Sequence, residues 1–345
     1  MIRLISREWP FLATAFFVSA LISGMLAFLL VKLGWCAPTR TGGKMPLTGG
    51  IGILLGFLIG SLAIVMRIHT DNVLIIIVYL VYLLPIVLPY FILGFIDDIV
   101  HFRPLPKFIG FVLIALLHFS ILQWLGKSEA NFSLFNNILL VSALFFFSNS
   151  YNFLDNADGH CATAFLGLVF ALPFFAGSTE YMPHLCRVAA AAVLGFLVWN
   201  YPFKPKLYLG DAGSLLLGSG AVALIYISFL FDERFVLNKL CYSVLLLAFP
   251  LYDTCAVMLL RVLRGQNPTI GGQDHYSHRL MRGGFPLWLV NLIAFTAAGV
   301  LPAIVLKLPS QTVFFGPFII WAFLLFFDVL AALLAKRAGK SSEVA

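Results

Sequence analysis

Val73-Leu-Ile-Ile-Ile-Val-Tyr-Leu-Val-Tyr-Leu-Leu-Pro-Ile-Val-Leu-Pro-Tyr-Phe-Ile-Leu-Gly-Phe-Ile96 runs for 24 residues without a charge and then stops at Asp97-Asp98. About 20 apolar residues in a helix cross the hydrocarbon core of a bilayer. This stretch therefore reads as a membrane span with an acidic pair at one end. On the same ruler the chain holds eleven spans, near residues 11–32, 47–66, 73–96, 108–125, 135–151, 161–178, 186–203, 213–231, 240–260, 285–306 and 313–335. The expected fold is all-α, a single polytopic transmembrane helical bundle over 1–345.

Composition supports the same class. Of 345 residues, 61% are apolar and 11% charged, against roughly 45–50% and about 25% in soluble domains. That excludes a soluble fold, disorder, a collagen-like repeat and a disulfide scaffold. Cys36, Cys161, Cys186, Cys241 and Cys255 are widely spaced with no C-x-x-C pair and read as small buried hydrophobes. The run after Arg3 and Arg7, about 22 residues long, exceeds a signal-peptide core and reads as the first span.

Eleven spans put alternate loops on opposite sides. One side collects 14 of the 22 basic residues, among them Lys32, Arg40, Lys44, Arg103, Lys107, Lys204, Lys206, Arg261, Arg264, Arg279 and Arg282; the other has 8. The richer side is expected to be cytoplasmic, with the N-terminus outside and the C-terminus inside. The net charge of +7 thus suits loops at an anionic leaflet, with no nucleic-acid partner. Asp97, Asp98, Asp155, Asp158, Asp211 and Asp274 gather on that side, in loops near 33–46, 97–107, 152–160, 204–214 and 261–284.

Each of these segments has a chemistry. Adjacent Asp97 and Asp98 repel one another and need a metal, a lysine such as Lys107 or a phosphate complex to offset them. Asn152, Asp155 and Asp158 recur every third residue and share one face of a helical turn. They suit hydrogen bonding to a sugar or base, or support of a metal; the plainer reading is a capping segment ending at Gly159. Gly210-Asp211-Ala-Gly-Ser214 offers a carboxylate at a helix start, fit for a metal with phosphate oxygens or simply an N-cap. The loop with His275, His278, Arg279 and Arg282 would cradle a diphosphate. A zinc pair at His275 and His278 lacks a cysteine or third ligand. Asp253, inside a span, has Arg261 two turns on as a structural partner, and Asp328 stands alone with no assigned role.

Taken in order, Met45-Pro-Leu-Thr-Gly-Gly-Ile51, Asp97-Asp98 with Lys107, Asn152-x-x-Asp155-x-x-Asp158-Gly159, Gly210-Asp-Ala-Gly-Ser214, Pro250-Leu-Tyr-Asp253 and the His275/His278 loop resemble the polyprenyl-phosphate N-acetylhexosamine-1-phosphate transferases. The resemblance covers 46–282, about two thirds of the chain. It implies transfer of a sugar-1-phosphate from a UDP-sugar to undecaprenyl or another polyprenyl phosphate, with UMP released and Mg²⁺ (or Mn²⁺) as cofactor. It also implies a bacterial plasma membrane, an active site facing the cytoplasm, and dimerisation, which is common in the superfamily. By matched position, Asp211 is the metal ligand and Asp97 and Asp98 the catalytic acidic pair. Asn152, Asp155 and Asp158 lie near the nucleotide, Asn200 near the substrate, and Lys107, His275, His278 and Arg279 near the diphosphate.

The sequence departs from the pattern at Ser277. The family loop commonly reads His-x-His-His, and the peptidoglycan branch carries three consecutive histidines. The sugar-phosphate branch, with UDP-GlcNAc as its commonest donor, is therefore the better match, and phospho-MurNAc-pentapeptide transfer the alternative. From other classes, a secondary transporter would show repeated halves and mid-bilayer charges, and a non-catalytic homologue would lack turnover.

Overall fold

The computed structural model describes residues 2–34, 36–38, 43–65, 73–125, 134–175, 182–229, 236–267 and 272–338. Arg40 and residues 268–271 of the histidine loop lie outside the described residues.

The described residues are mainly helical, with connecting loops and a short antiparallel ribbon of β1 (Ala37–Pro38) and β2 (Lys44–Met45). The helices are α1 (Ile2–Leu33), α2 (Gly49–Val65), α3 (Val73–Val100), α4 (Pro104–Leu125), α5 (Leu134–Leu154), α6 (His160–Ala171), α7 (Met182–Asn200), α8 (Gly210–Ser228), α9 (Val236–Leu246), α10 (Ala248–Leu263), α11 (Tyr276–Arg282), α12 (Leu287–Phe295), α13 (Leu301–Leu306) and α14 (Gly316–Arg337). Among the described residues eight helices are long and apolar enough to cross a membrane. The bent pair α9–α10 is a ninth, and two shorter apolar helices lie at Gly49–Ile64 and His160–Phe174. Each of the eleven apolar runs thus contains helix among the described residues, in a multi-pass membrane protein. Backbone groups have no water partner in hydrocarbon, and helices satisfy them internally.

α8 is the axis of the bundle. Nearly every residue in it is buried, and α2, α3, α5 and α6 pack around it. A helix apolar on all sides belongs at the centre of a bundle. Two helix ends differ from the sequence reading, and both differences matter to the site. α3 continues through Asp97 and Asp98 to Val100, so the acidic pair stands on its last helical turn instead of in a loop. α8 starts at Gly210, three residues before the apolar run, which places Asp211 on its first turn.

Prolines shape the rest. Pro89 has no N–H for the carbonyl of Pro85 one turn earlier, and His118 Nε2 on α4 donates to that oxygen at 2.9 Å. The α9–α10 break bends the chain by 73° at Leu247, just before Pro250 in the first turn of α10. The bend turns Tyr252, Asp253 and Arg261 toward the histidine loop.

Candidate active site

The start of α8 is held from two directions. Tyr208 N donates to Pro46 O at 3.0 Å, and Gly49 N and Gly50 N donate to Tyr208 O and Leu209 O at 3.2 and 3.1 Å. The Pro46-to-Gly50 motif is therefore a backbone splint for the Gly210 turn. On the other side, Asp98 accepts from Asp211 N at 2.7 Å and Ala212 N at 3.0 Å, capping α8 from a different helix. Glycine is required at two points. Gly210 has φ +77° against the Asp98 carboxylate, and a Cβ on Gly94 would stand 2.3 Å from the carbonyl oxygen of Asp211.

Within this frame Lys107 is the hub. Its Nζ lies 2.6 Å from Asp211 Oδ2, 2.8 Å from Asp97 Oδ2 and 3.4 Å from Asn152 Oδ1. Asn152 Nδ2 donates to Asp211 Oδ1 at 2.7 Å and to Ser214 Oγ at 2.8 Å. Asp97 Oδ1 also accepts from Phe102 N at 2.6 Å, fixing the turn that leads into α4. Asp97, Lys107, Asn152 and Asp211 thus converge, while Asp98 is occupied as a helix cap. The two adjacent carboxylates point to different partners, which sequence alone leaves open.

Asp155 and Asp158 lie in the turn after α5, and neither carboxylate has a hydrogen bond or ion pair among the described residues. Burial pushes the Asp155 carboxyl well above its usual range, and nearby Asp211, Asp98 and Asp158 push it the same way. Burial raises Asp158 too. Both groups hold protons more tightly folded than unfolded, so they weaken the fold as pH rises through their folded-state values. Unpaired acids kept at such a cost mark a ligand site.

Other matched residues are spent on the protein itself. Asn200 is buried, accepts from Gly159 N at 2.7 Å and donates to Leu207 O at 3.0 Å. It clamps the Asp155/Asp158 turn to the loop before α8. His275 is buried with Nδ1 2.9 Å from Asp253 Oδ2, and Tyr276 N donates to Asp253 Oδ1 at 2.6 Å. The expected Asp253–Arg261 pair is replaced: Arg261 is bonded to Asp274 through Nε (2.7 Å) and Nη2 (2.5 Å). Burial raises the Asp274 carboxyl, but Arg261 more than offsets this and holds it below its usual range. His278 is half-buried on α11, and Lys32 lies over the Phe28 ring, its nitrogen 4.2 Å from the centroid.

Asp328 also has a partner that its sequence position conceals. Arg279 reaches it through Nε at 2.9 Å and Nη2 at 2.8 Å, and Tyr252 Oη donates to it at 2.7 Å. Arg279 gives its remaining hydrogen bond to Asp274 O at 2.7 Å, so its guanidinium anchors the loop. Asp328→Ala strands this guanidinium and is expected to cost about 3 kcal/mol of stability. Thermal unfolding in detergent checks it; an unchanged midpoint would mean that the pair does not hold the loop.

Among the described residues no group of three or more His, Cys, Asp and Glu forms a metal cage. The oxygens around Lys107 nevertheless fit a hard cation bound by one or two carboxylates, with water and phosphate oxygens completing its shell.

Residues 79–229, from within α3 to just past α8, match the model of glycosyl transferase family 4. A probable undecaprenyl-phosphate N-acetylglucosaminyl 1-phosphate transferase of Bacillus subtilis is 25% identical over 298 residues, covering 83% of this chain and 80% of that one. A phospho-N-acetylmuramoyl-pentapeptide-transferase of Oceanobacillus iheyensis is 31% identical over 246 residues, 63% of this chain and 73% of that one. An undecaprenyl-phosphate alpha-N-acetylglucosaminyl 1-phosphate transferase of Escherichia coli K12 is 26% identical over 208 residues, 57% and 55% of the two chains. With the helical bundle and the Asp211 constellation at the head of its central helix, these matches establish that the chain belongs to glycosyl transferase family 4, as a membrane-embedded transferase.

Proposed function

We propose that the protein transfers N-acetylhexosamine-1-phosphate, GlcNAc-1-phosphate by preference, from a UDP-sugar to undecaprenyl or another polyprenyl phosphate and releases UMP. The observation that carries this reading is the Asp97–Lys107–Asn152–Asp211 cluster at the N-terminus of α8, beside two unpaired acids. A phosphate oxygen of the lipid attacks the phosphorus next to the sugar, the bond to the bridging oxygen breaks, and that oxygen leaves with UMP. Both reactants are anions, so the first demand on the site is positive charge.

Lys107 supplies one such charge, and the N-terminus of α8, whose first N–H groups are taken by Asp98, adds the positive end of its dipole. Asp211, with Asp97 and Asn152 in reach of the same point, would hold Mg²⁺ or Mn²⁺, which neutralises the diphosphate and the departing UMP. Asp97 positions the incoming phosphate through Lys107, while Asp98 keeps the helix end in place. Asp155 and Asp158 serve as acceptors for hydroxyl or base N–H groups of the nucleotide, and His278 lies toward the diphosphate. The reading places the site at the cytoplasmic face of a bacterial plasma membrane, where UDP-sugars are made.

The 31% identity to a pentapeptide-transferase supports phospho-MurNAc-pentapeptide transfer as a second reading. The lack of the three consecutive histidines of that branch, in a loop that reads His275-Tyr-Ser-His278, weighs against it. A detergent assay with undecaprenyl phosphate, Mg²⁺ and a panel of UDP-sugars separates the two through UMP release. UDP-GlcNAc is expected to react and UDP-MurNAc-pentapeptide to stay silent; the reverse result would move the protein to the second reading. Silence with every donor would remove the transferase assignment of this site.

A further inference from the structure

Ser277 is fully buried, and its Oγ donates a short hydrogen bond to Asn156 Oδ1. A side chain so short and so enclosed cannot reach a ligand. Its partner sits in the middle of the Asp155/Asp158 turn, 121 residues earlier in the chain. Asn156 uses its other end within that turn, donating from Nδ2 to Phe153 O at 2.6 Å. Phe153 in turn packs its ring on His275, centroids 5.7 Å apart. The same turn is held on its far side by Asn200 through Gly159 N, and by Asn291. Asn291 donates to Asp158 O at 3.0 Å, and its Oδ1 lies 2.9 Å from His160 Nδ1. The turn is thus braced against α7 and α12, and Ser277 joins it to the histidine loop.

We propose that Ser277 and Asn156 are positioning residues, whose hydrogen bond sets the spacing between the Asp155/Asp158 turn and the His275/His278 loop and thereby the fit of the UDP-sugar. The inference rests on the function proposed above. Among the described residues neither segment has regular backbone pairing to the other, so their separation depends on side-chain anchors of this kind. Displacing a binding group by about 1 Å is enough to cost a large factor in turnover or affinity. Lys107 and Asp211 are held by other contacts, so loss of the anchor weakens substrate binding and spares the chemical step.

The test is a double-substitution cycle with Ser277→Ala, Asn156→Ala and the pair, read as KM for UDP-sugar, KM for lipid and kcat. Each single variant is expected to raise KM for UDP-sugar about tenfold, with kcat within about threefold and KM for lipid unchanged. Because both remove the shared Ser277–Asn156 bond, and Asn156→Ala also removes the bond to Phe153 O, the double variant should be no worse than the more severe single one. Asn156 is half-buried, so its truncation leaves no enclosed void if Ser277→Ala folds poorly. Unchanged KM, loss confined to kcat, or single effects that multiply to about a hundredfold would each overturn the proposal. A wild type that releases no UMP with any donor removes the functional reading itself, a result distinct from an active wild type with unaffected variants.

Discussion

Asp211→Asn lowers UMP release by about a thousandfold or more while the protein stays folded; this is the expected result with the largest effect. The substitution conserves shape and leaves the backbone of Asp211 still donating to Asp98. The side-chain bond from Asn152 can still be accepted by the amide oxygen, so the fold loses about 1 kcal/mol and thermal unfolding shifts by a few degrees. What disappears is the negative charge beside Lys107, and with it the charged ligand for a divalent cation in a site that must neutralise two phosphates. Removing the cation with EDTA should silence the wild type equally, and adding Mg²⁺ back should restore it. Retention of a tenth or more of wild-type turnover by the variant would exclude Asp211 from the chemistry.

Lys107→Met is expected to reduce turnover by a comparable factor, yet to strengthen binding of Mn²⁺ in the absence of substrate. The ammonium now lies among Asp211, Asp97 and Asn152 oxygens at 2.6, 2.8 and 3.4 Å. It acts as a built-in counter-ion, and a bound cation must share or displace it. Methionine keeps most of its length without the charge, leaving two facing carboxylates whose repulsion a divalent ion relieves. Titration followed by Mn²⁺ electron paramagnetic resonance should show about tenfold tighter binding. Weaker or unchanged binding would mean that the cation sits elsewhere and that the ammonium does not compete for the same oxygens.

These two residues are joined only by folding. Lys107 and Asp211 are 104 residues apart, on α4 and α8, and their pairing follows from the packing of α3 against α8 and of α4 against α3 and α5. The sequence makes each residue conspicuous because a charge next to an apolar run costs free energy unless it has work to do. It does not say which partner each one meets. Asp97 and Asp98 illustrate the limit. They are neighbours on one helix, about 100° apart around its axis, so one faces Lys107 and the other the end of α8. Asn200 is a second case, since a polar residue at a helix end suits a ligand contact and a loop clamp equally well until Gly159 N is seen beside it.

Hydropathy alone determines that this chain is a helical membrane protein, because the period and length of an apolar run are local properties fixed by the bilayer. The ordered acidic, glycine and histidine motifs, also local, determine the family and most of the candidate site. Tertiary structure decides the rest: that Asp98 caps α8, that Asp328 holds Arg279, that Asp253 pairs with His275 and not Arg261, and that Ser277 ties two distant loops together. Such pairings depend on where helices cross and bend, at Leu247 above all. That geometry is set by packing among residues far apart in sequence, and no local pattern encodes it.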